Sequence, residues 1–234
     1  MKKVTQLEET KKGTLYVVAT PIGNLEDMTL RAIRIFKEVD YILCEDTRVT
    51  GKLLKHYEIV TKMKRYDAHS SLKIQEEVCT DLENWKQIAL CSDAGTPGIS
   101  DPGVHIIDQL HTKKIDVQIV SVPGASSVTA AFSIAGIAGN QFTFLGFIPQ
   151  KKGRQTFLVA LEKSEIPVMF LESTHRIMKL FESLLEYCPN KMVVVGRELT
   201  KFHEEVFRGS PQEVLEYFKT HTDHQKGEFV VIIY

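Results

Sequence analysis

The apolar run QIALC (87–91) breaks off into SDAGTPGISDPG (92–103), twelve residues holding three glycines, two prolines and two aspartates. A short apolar run bounded by turn residues reads as a strand buried on both faces. The segment that follows resists helix and sheet alike. Glycine reaches backbone conformations closed to other residues and lets the main chain approach a ligand closely. Proline fixes the chain's shape before any ligand arrives. Such a loop is either a compact structural turn or a surface that offers main-chain N–H and C=O groups to a flat polar ring and an amino-acid moiety. It has no G-K-[ST], and no G-x-G-x-x-G follows a strand anywhere in the chain, so phosphate anchoring is not supported.

Working outward, short β-branched runs alternate with longer amphipathic ones. Upstream, TLYVVA (14–19) and DYILC (40–44) read as strands. DMTLRAIRIFKEV (27–39) reads as a helix with Leu30, Ile33 and Phe36 on one face, and TRVTGKLLKHY (47–57) and SLKIQEEVCTDLEN (71–84) read as two more. Downstream, DPGVHIIDQLHTK (101–113) is a predicted helix with Pro102 in its first turn, where a missing N–H costs nothing, and DVQIVSV (116–122) is the next strand. Strand and helix in turn predict a parallel sheet with right-handed crossovers. VPGASSVTAAFSIAGI (122–137) is predicted helical from Ser126 or Ser127 as N-cap. Beyond it strands crowd closer: QFTFLGF, IPVMFLE, KMVVVG, EEVFRG and EFVVIIY, with helices at GRQTFLVALEK, STHRIMKLFESLLEY and SPQEVLEYFKTH. The fold class predicted is α/β in two domains, 13–123 with a parallel sheet and 124–234 with a mixed one.

In an open parallel sheet, ligands sit beyond the carboxyl ends of the strands. Three further predicted strand ends carry unusual polar turns: ATPIGN (19–24), CEDTR (44–48) and VPGASS (122–127). Four such turns on one edge predict a pocket there.

Composition narrows the class. The chain has 234 residues, 43% hydrophobic and 25% charged, and no apolar run approaches the length of a membrane span. The N-terminal MKKVTQLEETKKG is charged and lacks an apolar core, so it reads as a disordered lead-in and not a signal peptide. Cys44, Cys79, Cys91 and Cys188 lack metal-ligand spacing and read as buried reduced thiols of a cytoplasmic protein, with no metal expected. Net charge is −1. Any RNA contact would therefore rest on local charge, with KKGR (151–154) and KMKR (62–65) as candidates and solvated faces as the alternative.

ATPIGNLEDMTLRAI, EDTR, SDAGTPGISDPG, PGASSVTAA, LGFIPQKKGR, ESTHRI, RELTKFHEE and KGEFVVII follow one another in that order across the whole chain. Together they closely resemble the ribosomal RNA small subunit methyltransferase I family, of the tetrapyrrole-methylase-like (class III) methyltransferases. The resemblance implies two α/β domains with S-adenosylmethionine in the cleft between them, a homodimer, and methyl transfer to the ribose 2′-hydroxyl of a cytidine in the decoding region of 16S rRNA, within the small ribosomal subunit. Many members read ESPHRI where this chain has Thr174, and HN where it has His69-Ser70. Two alternatives stay open: a tetrapyrrole or protein side-chain methyltransferase of the same superfamily, and a cofactor-binding sensor without catalysis.

By motif position, the resemblance assigns cofactor contact to Asp93, Thr96, Pro97 and Ile99, to Ser126 and Ser127, to Pro21 and Ile22, and to Leu171, Gly227 and Phe229 of the second domain. A ribose hydroxyl is a poor nucleophile, so a group is needed to take its proton or stabilise the developing oxyanion. Glu45, Asp46 and Arg48 are the first candidates, with His69 and His175 as alternative bases. Asp46 and Arg48 have a second reading, as an ion pair or a helix cap. Lys151, Lys152, Arg154, Arg176, Arg197 and Lys201 are candidate rRNA contacts, although the acids interleaved among the last three suit internal ion pairs equally. Tyr66 or Phe147 is placed to stack on an unpaired cytosine, with core packing the expected fate of Phe147.

Overall fold

The computed structural model describes residues 12–67, 72–100 and 104–234. The chain separates into two compact units that divide between Ser126 and Ser127.

In the first unit the elements run β1 (Thr14–Val18), α1 (Leu30–Glu38), β2 (Tyr41–Cys44), α2 (Thr47–His56), β3 (Met63–Arg65), α3 (Leu72–Glu83), β4 (Gln87–Cys91), α4 (Val104–Thr112) and β5 (Gln118–Val122). The strands form one sheet in the order β3-β2-β4-β1-β5, with every neighbouring pair parallel. Side chains alternate across a strand, and here both faces are covered. Tyr16, Val18, Ile42, Cys44, Ala89 and Cys91 pack with Ala32, Ile35 and Phe36 of α1 and Leu53 and Leu54 of α2. Leu15, Leu43, Ile88 and Leu90 pack with Val78 and Leu82 of α3 and Ile106 and Leu110 of α4. Two-sided burial explains why these strands read as continuous apolar runs.

Three expectations need correction. Leu30 is exposed, and the buried face of α1 is Ala32, Ile35 and Phe36. Thr29 caps this helix by accepting from the Ala32 N–H, which leaves Leu30 in the first turn, while Ile33 packs partly buried against the same core. Residues 63–65 of the basic run KMKR are an edge strand, read as a charge patch because edge strands carry exposed lysine and arginine. Lys64 there is paired with Glu77 at 2.6 Å and Arg65 with Asp67 at 2.7 Å. Tyr66 is buried against the core and offers no stacking face. Pro102 and His69 lie outside the described residues.

The second unit comprises α5 (Ser127–Ile134), β6 (Thr143–Phe147), α6 (Arg154–Lys163), β7 (Val168–Ser173), α7 (Ile177–Tyr187), β8 (Val193–Arg197), β9 (Glu205–Gly209), α8 (Pro211–Thr220) and β10 (Glu228–Ile233). Its sheet order is β6-β7-β10-β8-β9; β6 and β7 are parallel and the other pairs antiparallel. The largest core cluster lies on one face, where Val168, Phe170, Val193, Val195, Phe229 and Val231 meet Leu158, Leu161, Ile177, Phe181, Val214 and Phe218 of α6, α7 and α8; Met169, Val194, Val230 and Ile232, on the other face, are buried as well. α8 begins at a reciprocal capping box between Ser210 and Glu213 with Pro211 in its first turn. All four cysteines are buried, and none forms a disulfide.

Candidate active site

Parallel strands put the carboxyl ends of β1, β2, β4 and β5 on one edge of the first sheet, and the loops leaving them are bonded to one another. Thr20 and Gly95 exchange two backbone hydrogen bonds, N–H to O at 2.9 Å one way and 3.0 Å the other. The Thr20 hydroxyl, itself buried, donates to the Ser92 carbonyl at 3.2 Å. The Ser92 hydroxyl donates to the Ala94 carbonyl at 3.2 Å. Thr96 donates its hydroxyl proton to the Ala125 carbonyl at 3.2 Å, which ties the loop after β4 to the loop after β5. The Asp93 carboxylate accepts the Asp46 N–H at 3.0 Å, which ties it to the loop after β2. The four turns predicted to share an edge therefore form one hydrogen-bonded rim.

Two glycines show how the rim is shaped. Gly95 sits at φ +78°, and a Cβ there would lie 3.3 Å from Ile22 Cγ2 and 3.8 Å from the Ala125 carbonyl oxygen. Only glycine fits both the left-handed backbone and the close approach of the neighbouring loops. Gly98 also has a left-handed φ, +85°, yet a Cβ there would meet no atom of the described residues within 4 Å. Beside Gly98, Ile99 is exposed, while Pro97 and Gly95 are buried. The rim is thus bonded below, with the apolar side chain of Ile99 exposed above. This suits a ligand that joins a flat heterocycle to an amino acid.

The carboxylates after β2 hold their positions differently from a free base. Asp46 is the N-cap of α2, accepting the Arg48 N–H at 2.8 Å, and its carboxylate also takes the Arg48 guanidinium in a fork whose shortest distance is 2.6 Å. Arg48's side chain and backbone N–H hold the Asp46 carboxyl well below the usual carboxylate range. A carboxylate so stabilised is a weak proton acceptor at neutral pH, so its geometry matches the cap and ion-pair reading. Glu45 is half-buried at the same strand end. Pro21 and Ile22 are half-buried in the loop after β1, as is Ser126 in the loop after β5. Ser127 begins α5.

The second unit gathers its candidates at one edge too, but several have structural employment. Arg197 is buried, and its guanidinium donates to the carbonyls of Lys226 (2.7 Å), His203 (3.3 Å) and Asp223 (3.4 Å) beside the Glu205 carboxylate at 3.6 Å. That saturates the fork from within, and Arg197 presents no surface to a phosphate. Lys201 pairs with Glu198 at 3.0 Å and Glu228 at 3.1 Å. Phe229 is a core side chain, so any ligand contact there would be through its backbone. Gly227 is at φ +119°, and an added Cβ would stand 2.6 Å from Glu198 Cγ; its N–H donates to the Thr174 hydroxyl at 2.8 Å. Leu171 is half-buried on β7.

Arg154 reaches the Lys179 carbonyl and the Ser183 hydroxyl on α7, whereas Lys151, Lys152 and His175 are exposed. Arg176 pairs at 2.6 Å with Glu172, whose side chain is fully buried. Phe147, expected in the core, is instead 57% exposed.

Thr20, Ser92 and Glu172 were not singled out by residue pattern. Each is a polar residue at or next to the end of an apolar strand, and each is buried; that position is the signal that could have found them, because buried polar side chains need partners.

The sequence pattern of the tetrapyrrole (corrin/porphyrin) methylases matches residues 14–215. The ribosomal RNA small subunit methyltransferase I of Halalkalibacterium halodurans is 42% identical over 95% of this chain and 76% of its own length. That of Thermotoga maritima is 39% identical, over 94% of this chain and 98% of its own; that of Escherichia coli O157:H7 is 37% identical, over 99% and 81%. Among solved structures, the methyltransferase CobJ aligns with a TM-score of 0.67 at 16% identity, covering 94% of this chain and 93% of that one. The Thermus thermophilus uroporphyrin-III C-methyltransferase complexed with S-adenosyl homocysteine aligns at 0.62 with 17% identity, covering 94% and 97%.

Two dissimilar α/β units and a bonded rim of loops at the first sheet's carboxyl edge are the frame of the tetrapyrrole methylase class of methyltransferases, and this chain has that fold. At 37–42% identity over nearly its whole length, the chain belongs to the ribosomal RNA small subunit methyltransferase I family.

Proposed function

We propose that this protein transfers a methyl group from S-adenosylmethionine to the 2′-hydroxyl of a cytidine ribose in the decoding region of 16S rRNA, within the small ribosomal subunit. Family membership supports the reaction class and the rRNA. The observation that carries the site is the rim: four strand-end loops of the first unit bonded to one another, with no described residue within 4 Å of a Cβ at Gly98. Bound there, the sulfonium would supply an activated methyl group, chemistry the protein need not build. The chain's own residues have three tasks. Thr96, Pro97 and Ile99, with Pro21, Ile22 and Ser126, shape and wall the donor's seat, and Asp93 fixes the adjoining turn through the Asp46 N–H. Glu45 stands at the strand end nearest the Asp46–Arg48 pair and is the group assigned to the ribose proton. Arg48, whose side chain is mostly exposed, is assigned to a backbone phosphate of the substrate. In the second unit, Leu171 and the backbone of Gly227 and Phe229 are assigned to the donor as well, and Ser127 to the same contact as Ser126.

Among the described residues no helix is long and apolar enough to cross a membrane. The ribosomal substrate argues for a cytoplasmic enzyme, and the homodimer implied by the family is part of this reading.

The test is incubation with methyl-labelled S-adenosylmethionine and small subunits from a strain lacking the modification, followed by nucleoside mapping. Label on a single 2′-O-methylcytidine is the expected result. Label on a base, on ribosomal protein, or only on an added tetrapyrrole would contradict it.

A further inference from the structure

The second sheet brings a second set of loops to one edge. β6 and β7 run parallel, so the segments 148–153 and 174–176 leave the same edge; the antiparallel pairings of β10 and β8 bring 226–227 and 198–204 there as well. Phe147 stands at this edge at the end of β6. Between Phe144 and Phe147 the pairing with β7 slips: Phe144 faces Met169 but Phe147 faces Leu171, so β6 carries one extra residue. Gly146 within the bulge is at φ +62°. Bulges of this kind reverse the side-chain alternation and re-aim one residue. Here the residue re-aimed is a phenylalanine left 57% exposed.

The ring is backed and flanked by cations. The Arg176 guanidinium lies 5.8 Å from its centroid, and Arg176 is held by Glu172 at 2.6 Å and by the Ser173 hydroxyl at 3.2 Å. A fixed cation against an aromatic ring is favourable and holds the ring's orientation. Lys151 and Lys152 follow four and five positions later, exposed, just before Gly153 turns the chain at φ +87° into α6. His175 is exposed beside Arg176. An exposed ring held by an arginine and followed by two exposed lysines is the pattern that single-stranded nucleic acid recognises: the ring stacks on a base and the lysines meet phosphates.

We infer that Phe147 is a base-stacking platform for an unpaired nucleotide of the RNA substrate, with Lys151 and Lys152 contacting the phosphates next to it. The inference deepens the rRNA reading and rests on it for the identity of the RNA. It assigns the second unit a role in substrate positioning beside the phosphate contact assigned to Arg48 of the first.

The experiment uses the full chain, fluorescein-labelled oligocytidylate as probe, and small subunits lacking the modification as substrate. Phe147→Ala is expected to weaken oligocytidylate binding about 10-fold, the scale of losing one stacked base. It should also raise KM for subunits with little change in kcat, and leave the affinity for S-adenosylmethionine as in the wild type. Phe147→Trp should retain binding, because stacking needs a ring and not this particular ring. The double variant Lys151→Ala/Lys152→Ala should flatten the plot of log affinity against log salt by about 0.7 for each phosphate that a lysine no longer neutralises. The inference is overturned if Phe147→Ala binds oligocytidylate as tightly as wild type, if wild type itself does not bind it, or if Phe147→Ala loses donor affinity in parallel, which would make the ring a wall of the cofactor site. Failure of the rRNA reading looks different: wild type that does not methylate subunits, while Phe147→Ala still weakens oligocytidylate, supports the platform and rejects only the substrate.

Discussion

Gly95→Val is expected to cut the affinity for S-adenosylmethionine at least about 30-fold, the equivalent of the roughly 2 kcal/mol that a side chain forced into left-handed backbone costs. The cost falls on the rim itself. Gly95 exchanges two hydrogen bonds with Thr20 and stands at φ +78°, and an added Cβ meets Ile22 Cγ2 at 3.3 Å. Valine adds two further carbons on that side, so either the Thr20–Gly95 bridge opens or Ile22 moves. Both displace residues assigned to the donor. Gly98→Ala is the companion experiment. It carries the same left-handed strain, at φ +85°, but its added methyl meets no atom of the described residues within 4 Å, so protein strain alone predicts a loss no greater than the roughly 30-fold of that backbone cost. A larger loss places bound donor in that space. Titration calorimetry with S-adenosylmethionine reads both variants, and wild-type affinity in Gly95→Val would contradict the assignment.

The second large effect is on stability. Arg197→Leu should lower the free energy of unfolding by about 3 kcal/mol or more, the scale of breaking a buried ion pair from one side. Leucine strips a donor from each of the Lys226, His203 and Asp223 carbonyls and leaves the Glu205 carboxylate with only His224 and Tyr217 beside it. Lysine should rescue little, because one ammonium cannot span three carbonyls that a planar fork reaches together. Urea unfolding gives the magnitude. Oligocytidylate affinity at permissive temperature separates the roles: a stable Arg197→Leu protein that has lost RNA binding would restore Arg197 to the substrate surface.

These two residues show what residue pattern carries and what it does not. The strands of the first unit were legible because a sheet buried on both faces must be apolar throughout, as in ILC, YVV and IALC, and because turn residues punctuate each run. The edge was legible too, since polar turns at four predicted strand ends coincide only where a fold aligns them. Partners were not legible. The motif RELTKFHEE places arginine, lysine and acids close together, and nothing local tells a buried Arg197 from a surface one; two of its acceptors come from residues 223 and 226, outside the motif and brought near by the fold. The same holds for Asp46 and Arg48, where the alternatives of base and cap were both visible and only geometry shows the fork. Phe147 failed for a different reason. Alternation along LGF predicts an inward ring, and the extra residue in the pairing with β7 turns it out. A glycine inside a strand pattern is the available sign of such a bulge, and Gly146 is that glycine.

On this reading the loops at the carboxyl edge of the first sheet hold the methyl donor through main-chain groups. Hydrogen exchange of backbone amides, compared with and without saturating S-adenosylmethionine, tests it in solution. Slower exchange concentrated in residues 20–24, 93–100 and 124–126 is the predicted result. Donor binding that leaves the amides of all three segments exchanging at their unliganded rates would contradict it.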